Sequence, residues 1–127
     1  MMSDIEKIVQ GYKNAEEKGF YWSDALEIIR HIRLELDEVE VELQSKNSEA
    51  LQDELGDVLH AWVTLAYFCG FDANEIVKNA EGKFEKRFEA LCSVIAEEEV
   101  PDFKNLTRKE KLVFWEKAKQ KLEKDDF

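Results

Sequence analysis

A single proline, Pro101, and five glycines are the only strong backbone breakers in a chain of 127 residues. Proline removes a helical hydrogen bond, and glycine costs about 1 kcal/mol against alanine inside a helix. A chain so poor in both can run in long helices joined by short connections. Its apolar residues recur at the helical i, i+3, i+4, i+7 spacing, and no stretch shows the period of two that marks a strand. The expected fold is all-α, an antiparallel helical bundle of about five helices in one domain over residues 1–127.

Start and stop signals place the helices. Ser3 caps a first helix from about Asp4 to Lys18, with Ile5, Ile8, Val9 and Tyr12 as its apolar stripe and Gly19 just past its end. A second helix starts after Ser23 and runs to about Gln44 on Ile29, Ile32, Leu36, Val39 and Leu43, before the polar turn Ser45 to Ser48. A third covers about Glu49 to Cys69 and stops at Gly70. Its second half, Ala61 to Cys69, is apolar on every side, which calls for cover on every side. In so short a chain that favours a homo-oligomer closing over helix three. Asp72, paired with Glu75, opens a fourth helix to about Glu97 on Ile76, Val77, Ala80, Phe84, Phe88, Leu91 and Ile95. Thr107 and Glu110 form a capping box for a last helix to about Leu122, after which the terminal residues are expected to fray.

Charge limits the partners. A formal net charge of −11 argues against nucleic acid, whose phosphates need a basic face. A phosphorylated small molecule stays possible if metal ions bridge the two acidic partners. Cys69 and Cys92 lack metal-ligand spacing and read as small buried hydrophobes of a reducing compartment. The N-terminus is polar and no apolar run nears the roughly 20 residues needed to span a bilayer, so a cytoplasmic protein without membrane partners is expected.

Two acidic pairs stand out. Glu35 and Glu38 lie three residues apart on helix two, as do Glu54 and Asp57 on helix three. Residues at i and i+3 project from one helix face, and antiparallel packing can turn the two faces toward each other. The first member of each pair borders the apolar stripe, and the second lies further toward the polar side. Four converging carboxylates repel unless a cation sits among them, and Mg²⁺ suits an all-oxygen set. Chance pairs on solvated faces are the plain alternative in a chain with 29 acidic residues. Gly56, between Glu54 and Asp57, is a mid-helix glycine of the kind that permits close approach of a backbone or ligand.

At this point the chain resembles a family. Gly19-Phe20-Tyr21-Trp22, Ile32-Arg33-Leu34-Glu35-Leu36-Asp37-Glu38-Val39, Glu54-Leu55-Gly56-Asp57, Lys83-Phe84-Glu85-Lys86-Arg87-Phe88 and the tail from Leu106 to Lys119 look like the MazG nucleotide pyrophosphohydrolases, in particular a catalytic repeat standing alone. The resemblance implies a MazG-like all-α fold working as a dimer or tetramer, and cleavage of a nucleoside triphosphate to the monophosphate and pyrophosphate in nucleotide-pool housecleaning. It also implies Glu35, Glu38, Glu54 and Asp57 as ligands of Mg²⁺, with Mn²⁺ able to substitute. Lys83 and Arg87, one turn apart, would bind phosphates, a point charge beside a bidentate fork. Trp115 would lie at the nucleotide site, where its indole could stack on a base. One carboxylate, with Glu38 the candidate, could act as general base. Surface charges and a core anchor are the plain readings of the basic pair and of Trp115. The chain departs from the family at Leu34, where a further acidic residue is usual, at His31, in place of a basic residue one turn earlier, and at Glu81, in place of an asparagine.

Two other classes are weighed against this. A di-iron bundle needs Glu-x-x-His on two helices, and the chain offers only Asp57-x-x-His60, once. A non-catalytic helical module, binding nucleotides or a protein partner, would use the acids for solubility alone.

Overall fold

The computed structural model describes residues 1–125 and consists of α1 (Asp4–Glu17), α2 (Ala25–Ser45), α3 (Ser48–Phe68), α4 (Ala73–Glu97) and α5 (Arg108–Asp125), with a single 3₁₀ turn at Phe103–Asn105. No strand occurs among the described residues, and the all-α expectation holds. No helix in them is long and apolar enough to cross a membrane. The chain divides into two compact units, Met1–Ile76 and Val77–Phe127.

Local chemistry sets the boundaries. The Ser3 hydroxyl accepts the Glu6 N–H at 3.1 Å, and α1 ends on Gly19 at φ +89°, a left-handed conformation that costs glycine least. There the N–H groups of Gly19 and Phe20 return to the carbonyls of Glu16 and Ala15, both at 2.9 Å. Gly70, at φ +87°, ends α3 in the same way. Asp24 caps α2, accepting the Glu27 N–H at 2.8 Å; Glu27 reaches back to the backbone and hydroxyl of Ser23. Asp72 caps α4 through the Asn74 N–H at 2.9 Å, but among the described residues Glu75 returns no hydrogen bond to it. The last helix runs on to Asp125 where fraying was expected from Glu123, and Asp126 and Phe127 lie outside the described residues.

The capping box of α5 is complete. Thr107 N–H donates to the Glu110 carboxylate at 3.0 Å, and Glu110 N–H donates to the Thr107 hydroxyl at 3.2 Å. The backbone hydrogen bond from Thr107, followed by one from its side chain, holds the Glu110 carboxyl below its ordinary range. The folded state therefore binds fewer protons there than the unfolded one. This stabilisation is whole above the ordinary carboxylate range and is lost as pH falls through the lowered folded value. Acid titration of the melting temperature should show a shallower acid limb in Glu110→Gln than in the wild type.

In the first unit, α2 and α3 form a helical hairpin across Lys46 and Asn47, and α1 packs on α3. The inward row of α2 is Ile28, which is fully buried, with half-buried Ile32, Glu35 and Val39. It is rotated from the stripe expected, because Leu36 and Leu43 are exposed. That rotation carries Glu35 toward α3. The apolar second half of α3 finds much of its cover within the chain. Ile5, Ile8 and Val9 of α1 pack on Val63, Ala66 and Ala73, together with Trp62 and Ile76. The large apolar side chains left open on the hairpin lie elsewhere: Leu26, Leu34, Leu36, Val41, Leu43, Leu55 and Leu59. In the second unit Ala90, Val94 and Ala118 are buried, and Lys117 and Lys121 pair with Glu98 and Glu97. Cys69, at the end of α3, and Cys92, on an outward face of α4, are exposed rather than buried, which corrects the sequence reading.

A Cβ built on Gly56 would meet nothing within 4 Å, so among the described residues no backbone makes the close approach that a mid-helix glycine suggested. Gly56→Ala should therefore raise stability by roughly 0.5–1 kcal/mol in a denaturant melt. A fall in stability would instead assign that space to a second chain.

Candidate functional site

In the first unit, α2 and α3 bring three carboxylates together. One oxygen from each of Glu35, Glu54 and Asp57 lies within 4.8 Å of the others. Glu35 and Glu54 are half-buried, whereas Asp57 and Glu38 are exposed. This is the inner and outer arrangement expected from their positions around the helices. Glu38 is not in the closest group, but its charge reaches Glu54. The Glu54 carboxyl is pushed above its ordinary range by partial withdrawal from water first, then by a side-chain hydrogen bond with Glu35 and by the charges of Glu35, Asp57 and Glu38. Crowding of this kind is relieved by a bound cation as well as by a proton. The donor set is all oxygen, from two helices, and it fits a hard divalent ion.

These acids border a cleft of about 680 Å³ whose lining includes Glu35 and Asp57. That volume falls within the range of about 300–1,000 Å³ usual for small-molecule sites. Phe20, Tyr21 and Trp22, from the connection between α1 and α2, line it together with His31 and His60. Phe20 and Tyr21 are largely exposed and Trp22 is half-buried. The Trp22 backbone N–H donates to the Tyr12 hydroxyl at 3.0 Å. Tyr12 is itself fixed edge-on against Tyr67, with ring centroids 5.8 Å apart. The Tyr67 hydroxyl donates to Glu16 at 3.2 Å, and burial together with that carboxylate raises its pKa, so it remains a donor. The aromatic wall thus rests on a chain of fixed groups.

Sequence reasoning gave no role to Tyr12, Trp22, His31 or His60 in this cleft. Three consecutive aromatic residues in a short polar connection, belonging to no helical stripe, are the signal that could have found the wall.

Within the second unit, Lys83 and Arg87 line a separate groove of about 720 Å³, with Lys78, Lys86 and Lys119. Glu81, Glu116 and Glu123 line it as well. Among the described residues neither Lys83 nor Arg87 is held in an ion pair, whereas Lys119 pairs with Glu116 at 3.2 Å. Trp115 does not line this groove. Half-buried, it packs against Phe84 with ring centroids 5.8 Å apart.

Residues 24–92 match the MazG nucleotide pyrophosphohydrolase domain. The match takes in all four acids, Lys83 and Arg87, but not Trp115 or the aromatic run 20–22. The chain is 33% identical over 113 residues to the nucleoside triphosphate pyrophosphohydrolase/pyrophosphatase MazG of Thermotoga maritima, covering 84% of this chain and 40% of that protein. It is 31% identical over 86 residues to a nucleoside triphosphate pyrophosphohydrolase of Escherichia coli K12, covering 66% of this chain and 33% of that protein. The chain therefore spans well under half the length of these relatives. With a domain match over more than half its length, and with the acids gathered as described, the chain belongs to the MazG nucleotide pyrophosphohydrolase domain family.

Proposed function

We propose that this protein hydrolyses nucleoside triphosphates to the monophosphate and pyrophosphate in a divalent-metal-dependent reaction, as a housecleaning enzyme of the nucleotide pool. The observation that carries the reading is the cluster of Glu35, Glu54 and Asp57 at the edge of an aromatic cleft large enough for a nucleoside. The names of the two relatives support the same reaction class.

Hydrolysis adds one water across the bond between the α-phosphorus and its bridging oxygen, and the β- and γ-phosphates leave together as pyrophosphate. When bound, Mg²⁺, or Mn²⁺ in its place, supplies positive charge against the phosphates and makes water a stronger acid. Glu35, Glu54 and Asp57 are assigned to hold it, with Glu38 as the fourth carboxylate of the set. Glu38, outside the closest group and exposed, is our candidate to take the proton from the attacking water. Lys83 and Arg87 are assigned to the phosphate oxygens. Trp22 offers a face to the base from the cleft wall, and the half-buried indole of Trp115 is a second candidate stacking surface. We further propose that the 127 residues act as one catalytic domain and assemble as a homodimer or tetramer. The open leucines and valine of the hairpin support assembly, because exposed apolar patches mark interfaces. Sedimentation returning only monomer would remove that part.

The test is a panel of ribo- and deoxynucleoside triphosphates with Mg²⁺ or EDTA, the products resolved by ion exchange. Monophosphate and pyrophosphate formed only with metal are expected. No turnover of any nucleotide, and no thermal shift with metal and nucleotide, would favour a non-catalytic helical module. In the same panel Trp22→Ala should raise KM by about tenfold, since base stacking is worth about 1–3 kcal/mol, while affinity for inorganic tripolyphosphate stays unchanged.

A further inference from the structure

His31, on α2, lines the cleft between Trp22 and Glu35. Its ring centroid lies 5.1 Å from that of Trp22, with the planes tilted by 41°. Its Nε2 lies 3.5 Å from a carboxylate oxygen of Glu35, one turn further along the same helix. The imidazole thus stands between the aromatic wall and the carboxylate cluster, and both its neighbours line the same cleft.

We propose that His31 is a positioning residue that links occupancy of the aromatic wall to the orientation of Glu35. This rests on reading the cleft as the nucleotide site. An indole that tilts to take a base moves the ring beside it, and that ring faces the carboxylate. A neutral imidazole carrying hydrogen on Nε2 suffices, so the linkage requires no change of protonation. The Glu35 oxygen at 3.5 Å is slightly long for a hydrogen bond, which leaves room for the contact to tighten when a ligand settles. Groups that orient a metal-ligating side chain are typically worth ten- to a hundredfold in metal affinity. The consequence concerns specificity. A nucleotide with a well-stacked base would set Glu35 for metal binding, and a polyphosphate without a base would not.

Two substitutions separate the two contacts of the ring. His31→Phe keeps an aromatic ring against Trp22 and removes the donor to Glu35. His31→Gln keeps an amide donor in reach of Glu35 and removes the ring. Mn²⁺ affinity is read by electron paramagnetic resonance, alone, with a non-hydrolysable α,β-methylene nucleotide and with inorganic tripolyphosphate. Affinity for the same nucleotide analogue without metal is read by calorimetry.

In the wild type the nucleotide analogue should tighten Mn²⁺ binding more than tripolyphosphate does. His31→Phe should lose about tenfold in Mn²⁺ affinity and keep metal-free nucleotide affinity within about twofold. His31→Gln should do the reverse, keeping Mn²⁺ affinity and losing about threefold to tenfold in nucleotide affinity, the usual worth of an aromatic pair. Both should lose the extra tightening by the base. Variants that shift the same quantity by the same factor, or shift nothing, overturn the proposal, as does a wild type without base-dependent tightening. A merely structural role would lower both affinities and the melting temperature together in both variants. A wild type that shows the linkage and cleaves no triphosphate would overturn the hydrolase reading and leave the linkage standing.

Discussion

Glu54→Gln is expected to cut triphosphate hydrolysis by about a hundred- to a thousandfold while leaving the helices intact, because one charged ligand lost from a metal site removes a large share of transition-state charge stabilisation. The amide keeps the shape of the carboxyl group and one acceptor oxygen but loses the charge. In the metal-free protein Glu54 is crowded by Glu35, Asp57 and Glu38, which help push its carboxyl above the ordinary range. Glutamine imitates the protonated form that such crowding favours, so the variant should melt no lower than the wild type in EDTA. The wild type should gain thermal stability on addition of Mg²⁺, and the variant should gain little, since a ligand stabilises only in proportion to its binding. Full turnover with unchanged Mg²⁺ dependence would remove Glu54 from the ligand set. Glu38→Gln provides the contrast. If Glu38 takes the proton, that variant keeps the Mg²⁺-induced shift and loses kcat.

The helices were legible because their signals are local. Ser3, Gly19, Gly70 and the Thr107–Glu110 box act within one turn of backbone, and each appears where its chemistry places it. The acid pairs were legible for the same reason, as an i, i+3 spacing sets a face before any tertiary contact forms. What failed depends on which helix lies alongside. The α2 stripe was read through Leu36 and Leu43, yet the inward row passes through Ile28 and Glu35, a small rotation that periodicity alone does not resolve. Cover for the end of α3 comes largely from α1, a pairing that no residue pattern announced. The same limit applied to the site. Tyr12 holds the Trp22 backbone from ten residues away, and His31 acquires its position only when Trp22 folds over it. Aromatic residues in a connection carry no period, so which helix they would face showed only in the assembled cleft.

Arg87→Ala is expected to raise KM for a nucleoside triphosphate by about ten- to a hundredfold, the equivalent of about 1.5–3 kcal/mol for hydrogen bonds to a charged group. Arg87 is half-buried on α4, and among the described residues no carboxylate pairs with it. A guanidinium so placed keeps its donors for a ligand and has lost part of its mobility, which lowers the entropy of engaging a phosphate. The groove it shares with Lys78, Lys83, Lys86 and Lys119 is the main concentration of positive charge in the second unit's lining residues, within a chain of net charge −11. Arg87→Lys should recover part of the loss but not all, because a lysine replaces a planar two-point contact with a single charge. Product inhibition discriminates the role. Inhibition by pyrophosphate should weaken in parallel with the rise in KM, while inhibition by a nucleoside without phosphates should not change. A fall in melting temperature that accounts for the lost activity would return Arg87 to a packing role, since its aliphatic stem also covers apolar surface. Equal loss for nucleoside and pyrophosphate would mean that the residue shapes the site as a whole and does not select the phosphate.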